Sequence, residues 1–152
     1  MRVFVDTNVL VSAVATRGLC ADVLREILAS HDMIISQQVL DEVEEVLRSR
    51  FGAGPDAVAE FVQLLRHESI IAKPGPLPDV ELQDKDDLPV LAAAVASRAQ
   101  VMVTGDQELL ELGAVENVEI ISPRQFWEKL KTARRRTTKR TAKRAKNPKH
   151  RH

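Results

Sequence analysis

Short runs of apolar residues alternate along the chain with longer segments in which apolar residues recur every three or four positions. The short runs predict buried strands, and the longer segments predict amphipathic helices. The predicted strands cover residues 2–5, 33–35, 70–72, 101–103 and 118–121. The predicted helices cover about 7–15, 20–30, 37–50, 56–68, 87–99, 107–112 and 123–130. This alternation predicts an α/β fold, a three-layer α/β/α sandwich with a central parallel sheet.

Two segments fall outside this alternation. Residues 73–85 contain three prolines and a glycine, which predicts a surface loop. The last residues have no apolar periodicity and cannot offset their ordering entropy by burial. The pattern therefore predicts one folded domain over 1–131 and a basic, disordered tail over 132–152.

The charge distribution sharpens this division. The chain has 152 residues, with 22 Lys and Arg against 22 Asp and Glu. Residues 134–152 hold ten Lys and Arg and no acid, so residues 1–133 carry a net charge of −10. An acidic body with a strongly cationic end indicates nucleic acid or another acidic surface as a partner. The cations at the start of this end are Arg134, Arg135, Arg136, Lys139, Arg140, Lys143 and Arg144.

Composition excludes several classes of site and location. Cys20 is the single cysteine, so neither an internal disulfide nor a cysteine-rich zinc site is expected. Aromatic residues make up only 3% of the chain, which argues against a base-stacking platform. The N-terminus lacks a signal-peptide pattern, and no apolar run is long enough to span a membrane. We therefore expect a protein of the reducing cytoplasm.

Acidic residues follow two of the predicted strands directly. Asp6 comes after the run VFV, and Asp106 comes after VMVTG. Either residue could simply cap the helix that follows it. However, the carboxyl ends of parallel strands meet at one edge of a sheet, where ligand sites form in such folds. Because Asp6 and Asp106 both lie at that edge, a ligand site that they share is favoured.

Two further acids lie close to predicted helix surfaces that face the core. Asp86 or Asp87 caps the helix that leads into the strand 101–103, and the run from Asp84 places three carboxylates within four residues. That run could be a solvated loop or a cluster held by cations. In the helix 37–50, Glu42 borders the apolar stripe, while its acidic neighbours point outward.

Several carboxylates can converge only if a cation offsets their repulsion. Hard divalent ions such as Mg²⁺ or Mn²⁺ prefer oxygen ligands, and they can activate water against a phosphodiester. The chain has no GxxxxGK[ST] loop and no GxGxxG fingerprint. A phosphotransfer receiver domain also gathers aspartates at a sheet edge, but it needs an acidic pair after the first strand, and Asp6 stands alone.

Four segments together resemble the PIN domain family. They are VFVDTNVLVSA, SQQVLDEVEEVL, DLPVLAAAVA and VTGDQELL, in that order within about residues 1–130. The resemblance is closest to PIN proteins classed as toxins of toxin–antitoxin systems, which are related to VapC-type ribonucleases. It implies a Mg²⁺- or Mn²⁺-dependent endoribonuclease that acts on single-stranded RNA, with a protein antitoxin as partner and a homodimer as its assembly.

The resemblance also implies roles for particular residues. The catalytic, metal-binding acids are Asp6, Glu42, Asp87 and Asp106, with Glu42 binding directly or through water. Asn8 and Thr104 are the small polar residues beside the first and last acids. Asp84 and Asp86 are supporting acids; Asp87 is preferred over Asp86 as ligand because Ala94 then follows seven residues later, as in the family's helix pattern.

The basic tail lies outside the resemblance. A solvated extension is the simplest interpretation, binding of RNA phosphates is the sharper one, and folding back over the acidic body is a third. A different class of function stays open: a non-catalytic nucleic-acid-binding or regulatory PIN module that uses the tail for affinity. The full set of four acids favours the enzyme.

Overall fold

A computed structural model of the chain describes the backbone of residues 1–145 and the side chains of residues 1–142. The strands are β1 (Arg2–Val5), β2 (Asp32–Ser36), β3 (Ile70–Ala72), β4 (Val101–Val103), β5 (Ala114–Val115) and β6 (Val118–Ile121). The helices are α1 (Thr7–Ala15), α2 (Leu19–Ser30), α3 (Gln37–Ser49), α4 (Pro55–Glu68), α5 (Asp87–Ala96), α6 (Gln107–Leu112) and α7 (Pro123–Ala145). All five predicted strands are present, which confirms the α/β pattern.

The sheet has the order β3-β2-β1-β4-β6-β5. Its first five members are parallel, and β5 pairs antiparallel with β6 at the edge. The sequence predicted a wholly parallel sheet and missed β5. This strand is only two residues long and arises from a tight turn in which Glu116 has a φ of 51°. A two-residue strand carries no hydrophobic period, and Glu-Asn is not one of the usual hairpin turn pairs.

The central strand is buried on both of its faces. Val3, Phe4 and Val5 point alternately to opposite sides of the sheet, yet all three are fully buried. Helices therefore cover both faces of the sheet, as the three-layer prediction requires. On the helical layers, α2 packs against α7, and α5 lies over β2 and β3.

The strand order reverses beside β1. From β1 the chain builds β2 and β3 on one side, and then returns to place β4 and β6 on the other side. The crevice between β1 and β4 is thus the switch point of the sheet, where open α/β sheets bind ligands. In the parallel register, Val5 lies opposite Val103. The residues that follow these two therefore emerge side by side.

The C-terminal segment differs from the prediction. The sequence placed the end of the last helix near residue 131 and a disordered tail over 132–152, whereas α7 continues through Ala145. Arg, Lys and Ala have high helix propensity, and no glycine or proline interrupts the chain between residues 124 and 147. The helix therefore extends without an apolar stripe. The part of the predicted tail from 146 to 152 lies outside the described residues.

Within residues 1–145, no single helix is both long and apolar enough to cross a membrane. Helices α1 and α2 reach that length and apolarity only as a pair, across a bend of 109°. Their apolar residues include Val9, Leu10, Val23 and Ile27, which are buried in the core of the domain.

Candidate functional site

Thr104 connects two acids at the switch point. Its side chain is fully buried, and its hydroxyl donates a hydrogen bond to Asp6 Oδ2 at 2.7 Å. The hydroxyl oxygen of Thr104 also accepts from the backbone N–H of Asp106 at 3.0 Å. Because β1 and β4 are neighbours, this one hydroxyl fixes the ends of both strands relative to each other. The expected meeting of Asp6 and Asp106 at this edge is confirmed.

Asp6 caps a helix and belongs to the acidic cluster at the same time. Its Oδ1 accepts from the N–H of Thr7 at 2.8 Å at the start of α1, so the capping interpretation is also correct. Burial raises the pKa of Asp6, against the lowering effect of the hydrogen bonds from Thr104 and Thr7. Negative charge on Glu42 and Asp106 raises this pKa further. Asp6 is thus held in a buried site beside two other carboxylates.

Glu42 reaches the site from α3. Its Oε2 accepts from the hydroxyl of Thr7 at 2.8 Å, and its Oε1 accepts from Nε2 of Gln38 at 3.0 Å. Gln38 also donates to the backbone carbonyl of Asp86 at 2.9 Å. Glu42 is half-buried, as its predicted position beside the apolar stripe requires. Of the acidic neighbours predicted to point outward, Asp41 and Glu45 are exposed, whereas Glu44 is half-buried like Glu42.

The carboxyl of Asp87 is strongly perturbed. Burial, followed by the charges of Asp106, Asp84 and Asp6, raises the pKa of Asp87 to about 7. Its Oδ2 is buried and has no hydrogen-bond partner among the described residues. Asp87 is the first residue of α5, preceded by Asp86, whose side chain makes no capping bond. Asp86 stands at the capping position, but the prediction that an aspartate side chain caps this helix is wrong. The Asp87 carboxylate is left available to a ligand.

Asp106 is positioned by hydrogen bonds at the start of α6 and by a contact between its loop and α1. Its Oδ1 accepts from the N–H groups of Glu108 and Leu109, at 2.9 and 3.3 Å, at the start of α6. The preceding residue, Gly105, donates its N–H to Oδ1 of Asn8 at 3.0 Å. Asn8 therefore ties the Asp106 loop to α1.

Asp84 and Asp86 lie at the exposed rim of the cluster. Oδ1 of Asp84 accepts from the N–H of Asp86 at 3.0 Å, and its carbonyl accepts from the N–H of Asp87 at 3.2 Å. Both rim carboxylates are exposed. The negative charge of Asp84 acts across this short turn and raises the pKa of Asp87.

The sequence did not identify three residues that hold the acids in place. Thr7 and Gln38 orient Glu42, and Glu108 accepts from the N–H of Gln83 through both carboxylate oxygens, at 3.0 and 2.9 Å. The spacing of Gln38 four residues before Glu42 was a usable signal for a contact on one helix face. The Glu108 contact crosses between a loop and α6, and no local pattern indicates it.

The donor set fits a hard divalent cation. Four carboxylates gather around one crevice, one of them with an unpartnered buried oxygen, and Mg²⁺ and Mn²⁺ prefer such oxygen ligands. Within the described residues, no three His, Cys, Asp or Glu side chains already stand in an arrangement that could hold a metal ion. Mg²⁺ usually takes only one or two carboxylates from a protein and keeps several waters, and the charge of such an ion would offset the repulsion among these acids.

The predicted basic residues do not join this cluster. Arg134, Arg135, Arg136, Lys139 and Arg140 are exposed on α7, and Arg134 forms an ion pair with Glu26 of α2. Lys143 and Arg144 lie in the same helix, but their side chains are outside the description. The acidic site and the cationic segment are separate features of the molecule.

Comparison with known proteins identifies the family. The profile of the family described as "PIN domain" matches residues 2–108, so the chain belongs to the PIN domain family. The crystal structure of VapBC2 from Rickettsia felis, bound to a DNA fragment from their promoter, contains a similar chain, with a TM-score of 0.57 and 15% identity. The match covers 80% of this chain and 98% of that one, and it shows a shared fold. No match is found among curated proteins.

Proposed function

We propose that this protein is a metal-dependent endoribonuclease that hydrolyses phosphodiester bonds of single-stranded RNA. The observation that carries the proposal is the state of Asp87. Its carboxyl has a pKa of about 7 because it lies half-buried among like charges, and one of its oxygens lacks a hydrogen-bond partner within the described part of the chain. A carboxyl whose pKa is raised this far by burial and neighbouring charges, at the crevice where the strand order reverses, is typical of a functional site rather than of a structural one.

The proposed ligands of one or two Mg²⁺ or Mn²⁺ ions are Asp6, Asp87 and Asp106, with Glu42 binding directly or through water. When bound, such ions activate water and offset charge on the reacting phosphodiester. Among the chain's own residues, Thr104 orients Asp6, and the N–H groups at the start of α6 orient Asp106. Thr7 and Gln38 hold both oxygens of Glu42. These bonds limit the rotation of the ligands before an ion arrives.

A cleavage assay tests this proposal. The purified chain is incubated with end-labelled, mixed-sequence single-stranded RNA in Mn²⁺, in Mg²⁺ and in EDTA. We expect cleavage with either metal, none in EDTA, and none with Asp6→Asn, in which asparagine can still cap α1. Asp41→Asn is the matched control, because Asp41 is exposed and its side chain accepts a hydrogen bond from Gln37 on its own helix. Full activity of a folded Asp6→Asn variant would overturn the assignment.

We further propose that the protein is the toxin of a type II toxin–antitoxin pair. The similar fold in VapBC2 and the PIN family membership support this role. A protein antitoxin is then the expected partner, and a homodimer and a cytoplasmic location are further expectations of the same proposal. A neighbouring reading frame that encodes a small protein which binds this chain and inhibits it would support the pairing; a chain that does not arrest growth when expressed alone would count against it.

A further inference from the structure

Only the N-terminal part of α7 packs against the core of the protein. Phe126 and Leu130 are buried, but every residue described from 131 to 142 is exposed. The helix therefore continues to Ala145, and its residues 131–142 cover no core. Glu128 is the last acid in the chain, so this extension is cationic with no internal compensation.

One ion pair sets the orientation of this extension. Arg134 pairs with Glu26, a residue of α2 that is itself only 20% exposed in its side chain. The side of α7 that carries Arg134 consequently faces the body. With about 100° of rotation per residue, Thr138, Thr141 and Ala142 fall on the same side as Arg134. This inner side carries no further cation among the positions 137–142.

The threonine hydroxyls of the extension form hydrogen bonds within the helix itself. Thr137, Thr138 and Thr141 donate to the carbonyls four residues earlier, at 3.1, 3.0 and 3.0 Å. They do not need a partner from outside the helix.

The outer side of the extension is a cationic face. It is formed by Arg135, Arg136, Lys139 and Arg140, which lie about 100° to 240° around the helix from Arg134. They form two parallel rows with a spacing of four residues, or about 6 Å along the axis. The positions of Lys143 and Arg144 continue both rows in the helix. None of the four side chains pairs with an acid in the described part of the chain.

Like charges at this spacing repel each other, so the cationic face is a cost to the isolated helix. A chain of phosphates removes that cost, because regularly spaced anions match rows of guanidinium and ammonium groups. The face has no apolar side chain between residues 131 and 142 except small alanines, which argues against membrane insertion and against a protein interface with an apolar core. The charge pattern therefore favours a nucleic-acid backbone.

We propose that the cationic face of α7 is a docking surface for the phosphate backbone of RNA, which it binds as a preformed helix and without sequence preference. The proposal deepens the ribonuclease function and rests on it for the identity of the polyanion as the substrate strand. Residues 1–133 carry a net charge of −10 and repel RNA, so the extension supplies attraction that the catalytic body lacks. Because Arg134 on the inner side pairs with Glu26 of α2, the cationic face lies on the side of α7 opposite to this contact with the body.

The test measures RNA binding apart from cleavage. Binding of a fluorescent single-stranded 20-nucleotide RNA is followed by polarisation at several KCl concentrations in EDTA, with Asp6→Asn as the parent. One variant changes Arg135, Arg136, Lys139 and Arg140 to Gln. The control variant changes the exposed body cations Arg17, Arg50, Arg66 and Lys73 to Gln, which alters the net charge equally. A rescue variant changes Arg135, Arg136 and Arg140 to Lys.

We expect the α7 variant to bind RNA at least 10-fold more weakly and to lose about 3 from the slope of log affinity against log salt, since each phosphate contact contributes about 0.7. The control and rescue variants keep most of the affinity. The inference would be overturned if the α7 variant and the control variant bound RNA equally well. It would also be overturned if, in a parallel measurement with phosphatidylserine vesicles, the α7 variant lost binding to the vesicles but kept its binding to RNA. Because this test measures no cleavage, a failure of the catalytic proposal appears separately, as uncleaved RNA in the Mn²⁺ and Mg²⁺ assay while binding through α7 persists.

Discussion

The hydroxyl of Thr104 donates a hydrogen bond to Asp6 Oδ2 at 2.7 Å, although 98 residues separate the two in the chain. The bond joins the carboxyl ends of β1 and β4 at the place where the strand order reverses. Since the same hydroxyl also accepts from the N–H of Asp106, a single buried atom sets the relative positions of two proposed ligands. Asp6 and Asp106 therefore have defined relative positions in the absence of a ligand.

Replacement of Thr104 by Val tests this arrangement. The change keeps the shape of the side chain but removes both hydrogen bonds, and it leaves buried polar groups without partners. We expect a loss of about 1–3 kcal/mol in the free energy of unfolding and a further rise in the pKa of Asp6, because the Thr104 bond lowers it. Denaturant unfolding and RNA cleavage measure the effects. Thr104→Ser is the control, and it should keep most of both properties.

Asp87 gives a pH dependence of stability. A carboxyl whose pKa rises from 3.8 when unfolded to about 7 when folded favours the folded state at low pH and opposes it as pH increases between these values. In EDTA, Asp87→Asn should therefore stabilise the protein above pH 7 by about 1–2 kcal/mol, allowing for solvent screening of a half-exposed group. The difference should vanish near pH 4. Thermal unfolding across this range, with exposed Asp56→Asn as control, would contradict the account if the two variants behaved alike.

Gln38 is predicted to be a positioning residue for Glu42. Gln38→Ala removes the donor to Glu42 and the contact with the Asp86 carbonyl, so we expect Mn²⁺ affinity to fall about 10-fold. Gln37→Ala is a close control, because Gln37 makes the equivalent bond to Asp41 on the exposed side of the same helix. Both variants should unfold at similar denaturant concentrations. If calorimetric titrations gave the same Mn²⁺ affinity for Gln38→Ala and Gln37→Ala, Gln38 would not be a positioning residue for Glu42.

Gly75 allows the loop before α5 to pass close to that helix. A Cβ at this position would lie 2.7 Å from Cβ of Ala96 and 3.1 Å from the carbonyl oxygen of Ala92. We expect Gly75→Ala to cost about 1–3 kcal/mol of stability, measured by denaturant unfolding. Adding Ala96→Gly removes the nearest clash, so the double variant should be more stable than the sum of the single changes predicts. Strict additivity would show that the loop moves freely.

The sequence predicted much of the site because each acid lies next to a recognisable local feature. Asp6 and Asp106 follow apolar strands, and Glu42 borders a helical stripe. The contact between Gln38 and the Asp86 carbonyl was not predictable, because it joins a helix to a loop whose path depends on tertiary packing. The length of α7 was missed for a different reason. Its C-terminal half is helical through the propensity of Arg, Lys and Ala, whereas the prediction used apolar periodicity alone.

The chemical nature of the RNA ends tests the central claim most directly. Hydrolysis by activated water with the 3′-oxygen as leaving group predicts products with 5′-phosphate and 3′-hydroxyl ends, formed with Mn²⁺ or Mg²⁺ and absent with Asp6→Asn. Mass spectrometry of the fragments from a defined RNA distinguishes these ends. Fragments with 2′,3′-cyclic phosphates, or the same fragments in EDTA, would contradict a metal-dependent site at Asp6, Glu42, Asp87 and Asp106.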